Sequence, residues 1–262
     1  MARELDEVKE HVALANRVLA ESGLASGVLA SLGHASMRLP SDPGKFVVKG
    51  RGYRLDALSA MRGQDMVVCD LDGYKVDGPI GSGQCYEVKM HSCIYKTHPE
   101  VQSVVHVHPR FAIVMGLLQG DIHPMCNEGN GLVKDKIPMF PHQRLILSED
   151  DGIEVANTLG KSKAVLLRGH GAATVGNSVE DSVITMLYLE EQARMNWYAR
   201  VAGGPDYAHV PYEDVEEFLA ASAKMGQLDH LKGPLQQNPN HRSQQESIFN
   251  TFVHAMEQRT SR

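Results

Sequence analysis

An α/β domain is the fold class the sequence predicts, on three observations. Runs rich in β-branched residues alternate with segments whose apolar residues recur at helical spacing, which is how a sheet covered by helices reads in sequence. At 262 residues the chain is long enough for one large α/β domain with a full core, or two small ones. Its 42% hydrophobic and 22% charged residues are ordinary for soluble globular material. A formal net charge of −6 without any basic run excludes nucleic acid as an expected partner. No stretch reaches the roughly 20 apolar residues of a membrane span. The start, Met-Ala-Arg-Glu-Leu-Asp-Glu, is too charged for a signal peptide. No membrane association and a cytoplasmic location are therefore expected. Cys69, Cys85, Cys93 and Cys126 show no Cys-x-x-Cys spacing and read as reduced, mostly buried thiols.

Residues 4–22 place Leu5, Val8, Val12, Ala15 and Leu19 at steps of three and four, an amphipathic helix that Gly23 is placed to stop. Residues 33–39 alternate like a strand and put His34, Ser36 and Arg38 on one face. That face is either the solvated side of an edge strand or the polar wall of a substrate cleft. Residues 45–50 and 65–71 read as strands, with Asp72-Gly73 a hairpin turn before 74–77. Between them, Gly50-Arg51-Gly52-Tyr53-Arg54-Leu55 is either a surface loop with solvated arginines or a place where backbone nears a ligand and arginine grips an anion.

Residues 81–86 form a loop feeding a helix over 87–96, with Glu87 in its first turn, where a carboxylate also complements the helix dipole. Residues 101–109, Val-Gln-Ser-Val-Val-His-Val-His-Pro, are a buried strand that Pro109 ends. Side chains alternate on a strand, so His106 and His108 share a face, as two satisfied histidines or as two arms of a metal clamp. A helix over 110–119, short strands at 121–126 and 137–140, a helix over 149–159 and a strand at 163–167 follow. The last strand runs into Arg168-Gly169-His170-Gly171, where glycines clear space around one imidazole just past a strand end. Ser178 is the expected N-cap of the longest helix, about 179–200. Residues 212–224 are amphipathic, 233–241 read as a Pro/Asn/Gln-rich linker, and an amphipathic helix covers 243–258.

Three neutral imidazoles, from His106, His108 and His170, plus one acid would suit Zn²⁺ well, and Mn²⁺, Co²⁺ or Fe²⁺ acceptably. Residue types alone do not choose the acid. The runs Glu87-Val88-Lys89-Met90-His91, Val104-Val105-His106-Val107-His108-Pro109 and Gly169-His170-Gly171-Ala172-Ala173-Thr174-Val175-Gly176 resemble the metal signature of the class II aldolase/adducin family. The resemblance covers about residues 5–200. It implies a three-layer α/β/α fold with a central, mainly antiparallel sheet, and a homotetramer with active sites between subunits. It further implies Glu87, His106, His108 and His170 as ligands of a divalent metal, and Glu87 as a proton shuttle when substrate displaces it. On this basis the chain divides into a family-type domain, residues 1–210, and a C-terminal helical extension, residues 211–262. His123, Asn127 and Glu128 lie where a neighbouring subunit contributes groups in that family.

Aldolases of the family hold a phosphate with small hydroxyl residues, and at those places this chain has His34, Arg54 and Tyr86. Imidazole, guanidinium and a phenol ring suit a flat, carboxylated small molecule better. The run Gly33-His34-Ala35-Ser36-Met37-Arg38 is similar to the branch of metal-dependent decarboxylases acting on hydroxylated aromatic or pyridine dicarboxylates. That likeness implies Arg54 as a carboxylate holder, Ser36 and Tyr86 as further substrate contacts, and His34 as a substrate contact or proton donor. An aldolase on a sugar or keto acid, and a non-haem iron oxygenase on a hydroxyphenylpyruvate-like substrate, need the same metal site. A non-catalytic adducin-like scaffold is the remaining alternative, and it has no need of four ligands in register.

Overall fold

The computed structural model describes residues 2–118, 120–232 and 243–260. The expected linker at 233–241 lies outside the described residues. The chain opens with α1 (Ala2–Glu21), whose Val8, Val12, Ala15 and Leu19 are buried as their spacing predicts. Gly23, at φ 88°, turns the chain out of it. β1 (His34–Leu39), β2 (Asp42–Arg51), β3 (Met66–Asp70), β4 (Lys75–Asp77) and the two-residue β5 (Gly83–Gln84) precede α2 (Val88–Thr97). Then come β6 (Ser103–Val107), α3 (Arg110–Leu117), α4 (Asn130–Val133), β7 (Met139–Phe140), α5 (Glu149–Leu159), β8 (Ala164–Leu167), β9 (Gly171–Gly176) and α6 (Val179–Gly203). α7 (Tyr212–Lys224) and α8 (Gln244–Thr260) follow.

One sheet runs β4-β3-β2-β1-β6-β9-β8-β7, with β5 on β2, and every pairing but β7 with β8 is antiparallel. Helices cover both faces. On one face Phe46, Val48, Val104 and Val165 pack with Met90 and Ile94 of α2 and Val155 of α5. On the other, Ala35, Val105 and Ala172 pack with Ala15 and Leu19 of α1, Met115 of α3, Ile184 and Leu189 of α6, and Phe249 of α8. This is the three-layer α/β/α arrangement with a mainly antiparallel centre. All four cysteines are free thiols, three of them buried. Among the described residues, no helix is long and apolar enough to cross a membrane.

Two serines start helices as their positions predict: Ser148 accepts from the Asp151 backbone N–H, and Ser178 from that of Asp181. Residues 121–126 depart from expectation and form no strand. Their backbone is instead bonded by amide side chains of α6, with His123 N–H donating to Asn196 Oδ1 at 2.9 Å and Met125 N–H to Gln192 Oε1 at 2.9 Å. Gln192 and Asn196 return donors to the carbonyls of Cys126 and His123. Two buried amides thus satisfy an extended segment that has no neighbouring strand.

The polar face of β1 is no solvated edge, because β1 lies inside the sheet between β2 and β6, and two of its three polar residues line no cleft. Ser36 is fully enclosed beneath α2, and Arg38 donates to the carbonyls of Val101, Pro43 and Tyr95.

Candidate metal centre

β6 is paired on both sides, to β1 and to β9, and this fixes the place of His106 near its end. His106 Nδ1 donates to the Ala172 carbonyl of β9 at 2.9 Å. With the proton held there, the Nε2 lone pair is left facing the strand ends. His108 follows one step past β6, on the same side. The turn after it is anchored by Glu190 of α6, which accepts the N–H groups of Phe111 and Ala112 at 3.1 and 3.0 Å. α3 therefore begins on a carboxylate cap from another helix. His170 occupies the tight turn between β8 and β9, where its N–H donates to the Leu167 carbonyl at 3.0 Å.

The two glycines beside His170 serve different ends. Gly169 takes φ 63°, the left-handed region. A Cβ on Gly171 would lie 2.5 Å from the Val107 carbonyl oxygen, 3.0 Å from His108 Cδ2 and 3.1 Å from His106 Cε1. Only hydrogen fits there.

Glu87 is the N-cap residue of α2, immediately before its first turn. Its Oε1 accepts the Ile146 N–H at 3.0 Å, which turns Oε2 toward the histidines. Oε2 lies 3.4 Å from His106 Nε2 and 3.5 Å from His170 Nε2. The three imidazole centroids stand 5.1, 5.1 and 4.9 Å apart, nearly an equilateral triangle. One ligand atom from each of Glu87, His106, His108 and His170 lies within 4.8 Å of all the others.

These residues fit a divalent cation. Among the described residues, the sealed side-chain nitrogens and oxygens without a hydrogen-bond partner are His106 Nε2 and both nitrogens of His170. Unpaired buried nitrogens around one carboxylate oxygen are costly unless a cation sits between them. Electrostatics point the same way. Burial alone would push the Glu87 carboxyl up, but the imidazoles of His106 and His170 hold it well below the usual range. Burial, then the neighbouring His106 and His170, pushes the His108 imidazole down to about 3. The Glu87 carboxyl is thus held charged and the His108 imidazole neutral, the forms in which each can ligate a metal.

Behind this cluster lies a second chain of polar groups. His34 of β1 pairs directly with His106 of β6, their rings 5.2 Å apart. His34 Nδ1 meets His91 Nε2 at 2.6 Å, His91 Nδ1 meets Ser36 Oγ at 2.7 Å, and Ser36 meets the Tyr95 hydroxyl at 2.8 Å. Burial, then the charge of His91, holds His34 well below its ordinary value, and burial followed by His106 takes His91 down to about 3. Ser36 is 0% exposed, so the expectation that it touches substrate is corrected: it orients His91. His91 itself carries no role in the sequence reading, although it stands four residues after Glu87 on the same helix face. Arg54 is exposed and Tyr86 is 67% exposed, its ring beneath the Arg51 guanidinium at 4.2 Å.

A mainly antiparallel sheet between helical layers, with a carboxylate and three imidazoles converging at the ends of its central strands, defines a three-layer α/β/α protein with a candidate metal site. The chain belongs to the class II aldolase and adducin N-terminal domain family, whose model matches residues 10–197. It is 31% identical over 224 residues to 3,4-dihydroxyphthalate decarboxylase of Terrabacter sp. (strain DBF63), covering 83% of this chain and 90% of that one. It is 30% identical over 203 residues to the Arthrobacter keyseri protein of the same name, covering 75% and 80%. Its fold is similar to that of L-fuculose 1-phosphate aldolase from Glaciozyma antarctica PI12, with a TM-score of 0.76 at 20% identity over 97% of this chain and 92% of that one.

Proposed function

We propose that the protein is a divalent-metal-dependent carbon–carbon lyase that decarboxylates a hydroxylated aromatic or heteroaromatic carboxylic acid. The observation that carries this reading is the set of unpartnered lone pairs on His106 and His170 around Glu87 Oε2. Relatives named as decarboxylases, matched over most of both chains, support the choice of bond. Glu87, His106, His108 and His170 would hold the ion, Zn²⁺ or Mn²⁺ before Co²⁺ or Fe²⁺. When bound, such an ion supplies positive charge to substrate oxygens and so stabilises electron density left on the ring.

The rest falls to the chain's own side chains. The bond from ring carbon to carboxylate breaks, CO₂ leaves, the electron pair stays on the ring carbon, and one proton takes the vacated position. Glu87, held at Oε1 by Ile146, is placed to move that proton at Oε2. His34 has Nδ1 engaged by His91, which leaves Nε2 for the substrate side. Tyr86 and Arg54, at the rim, meet the ring and a carboxylate. Residues 1–210 form the catalytic unit and 211–262 its helical extension, in a cytoplasmic homotetramer, as the family resemblance suggests.

The test is CO₂ release from a panel of hydroxyaromatic acids, before and after chelation and metal restoration. Release that vanishes with chelator and returns with Zn²⁺ or Mn²⁺ is expected. Oxygen uptake in step with turnover would instead assign an oxygenase, cleavage of sugar phosphates without CO₂ an aldolase, and no metal bound at all a scaffold.

A further inference from the structure

Beside the cluster of Glu87 and three histidines stands a second group of donors, on the α2 side of the sheet. His34 of β1, Cys85 in the loop before α2 and His91 of α2 each offer one ligand atom within 4.8 Å of the other two. All three are enclosed, His34 at 5% exposure, Cys85 at 2% and His91 at 0%. Strand register puts them together. Ala35 packs into the core under α1, so its neighbours His34 and Ser36 turn to the opposite face, against the helix that carries His91. His34 is also paired in register with His106, so the second group adjoins the first.

Three features suit this group to a cation. His91 is oriented as a ligand is: Nδ1 meets Ser36 Oγ at 2.7 Å, Ser36 meets the Tyr95 hydroxyl at 2.8 Å, and Nε2 is left aimed at His34. An outer partner that fixes one ring nitrogen and frees the other is the usual support of a metal-binding histidine. Next, His34 Nδ1 and His91 Nε2 stand 2.6 Å apart and share one proton, a place that an ion can take. A tetrahedral ion needs its two nitrogens about 3.3 Å apart, an opening within reach of small side-chain rotations. Last, the Cys85 thiol has no hydrogen-bond partner among the described residues, whereas Cys93 donates to the Glu149 carbonyl and Cys126 to that of Glu128, each at 3.6 Å. No carboxylate belongs to the group. Two imidazoles and a thiolate are a soft donor set, matched to Zn²⁺, Cd²⁺ or Cu⁺ and poorly to Mn²⁺ or Mg²⁺, which prefer oxygen.

We propose that His34, Cys85 and His91 form a second metal site, selective for a thiophilic cation, next to the cluster of Glu87, His106, His108 and His170. On binding, the thiol proton of Cys85 leaves to water and the proton between the imidazoles passes to the far nitrogen of one ring. The ion then takes three lone pairs and keeps a fourth position open. The inference goes beyond the proposed reaction and does not rest on it, since neither substrate nor bond cleavage enters the argument. The two sites also differ in kind: the first has no sulfur and accepts hard and borderline ions, while the second admits only soft and borderline ones.

The experiment titrates Co²⁺, Zn²⁺ and Mn²⁺ into the full chain after chelator treatment, with a phosphine to keep thiols reduced. Wild type is compared with Cys85→Ser and Cys85→Ala, and with Cys126→Ser as a control on the more exposed thiol. Equilibrium dialysis counts bound ions. Absorbance reads the near-ultraviolet thiolate-to-cobalt charge-transfer band, which nitrogen and oxygen ligands do not give. Wild type and Cys126→Ser are expected to bind two Co²⁺ or two Zn²⁺ per chain but one Mn²⁺, and to show the band. Both Cys85 variants are expected to lose the band and one of the two ions. If Glu87 and its three histidines hold no metal, wild type keeps the band with one Co²⁺ per chain, so failure of the first site is read apart from failure of the second. A band missing from saturated wild type, or one that survives both Cys85 substitutions, overturns the second site. If neither Cys85 variant folds, cadmium NMR of Cys126→Ser decides: a resonance in the thiolate range upholds the site, and resonances in the nitrogen and oxygen range alone overturn it.

Discussion

Replacing Gly171 by alanine tests how the histidine cluster is built. The added Cβ would meet the Val107 carbonyl oxygen at 2.5 Å, close to an ångström inside ordinary van der Waals contact. That oxygen belongs to the backbone of β6 and cannot swing aside. β9 must therefore move, carrying with it Ala172, whose carbonyl holds His106 Nδ1, while the rings of His106 and His108 are pushed at 3.1 and 3.0 Å. Overpacking of this kind costs ~1–3 kcal/mol. For a chain of this size that lowers Tm by about 2–4 °C per kcal/mol. Disturbing the group that orients a ligand typically weakens metal affinity by about 10–100-fold. Gly169→Ala is the control: its Cβ meets nothing closer than 3.4 Å, so the cost is the left-handed backbone, ~1 kcal/mol, with metal affinity nearly retained. Thermal unfolding of chelator-treated protein and competition for Zn²⁺ with a chromophoric chelator separate the two effects. Gly171→Ala that melts with wild type and binds Zn²⁺ equally well would refute the steric argument.

Other outcomes follow from the same contacts. Glu190→Ala should cost ~1–2 kcal/mol by uncapping α3, read from urea unfolding; a change under ~0.3 kcal/mol would mean the two N–H groups find water instead. Asn196→Ala should destabilise by ~1–3 kcal/mol and raise hydrogen exchange at His123, whose N–H and carbonyl it holds; unchanged exchange there would contradict the account of residues 121–126. The His11–Glu180 pair, at 2.7 Å, should give a pH signature. The hydrogen bond to Glu180 raises His11 above 6.5 despite burial, so its stabilisation is present below 6.5 and lost as pH rises through the folded value. Glu180, which burial would raise but His11 lowers to about 2, contributes above 4.5 and loses that as pH falls. The stability gap between wild type and His11→Ala should therefore be widest between 4.5 and 6.5 and shrink as pH rises through the raised His11 value, and a gap that grows with pH would exclude the ion pair.

Local signals in the sequence were read well where the chain decides structure locally. α7 begins and ends where its amphipathic pattern does, and the caps at Ser148 and Ser178 start α5 and α6. The His-x-His spacing and the Gly-His-Gly turn likewise needed only strand geometry and steric space. What was hidden depends on partners far along the chain. Residues 121–126 look like a strand, but Gln192 and Asn196 stand roughly seventy positions later. The β1 face looks amphipathic, yet the helix that covers it carries His91 and Tyr95, polar groups able to satisfy Ser36 inside the protein. β9 is built of small residues with little alternation of polarity, and its place beside β6 is set by the sheet.

The strand bearing His106 has hydrogen-bonded neighbours along both flanks, whereas Glu87 sits at the junction of a loop and a helix. His106 is therefore the fixed point of the cluster and the Glu87 carboxylate its spring. Cations of different radius would be accommodated chiefly by travel of Glu87, and the ease of that travel, set by its tether to Ile146, would govern how readily one ion replaces another.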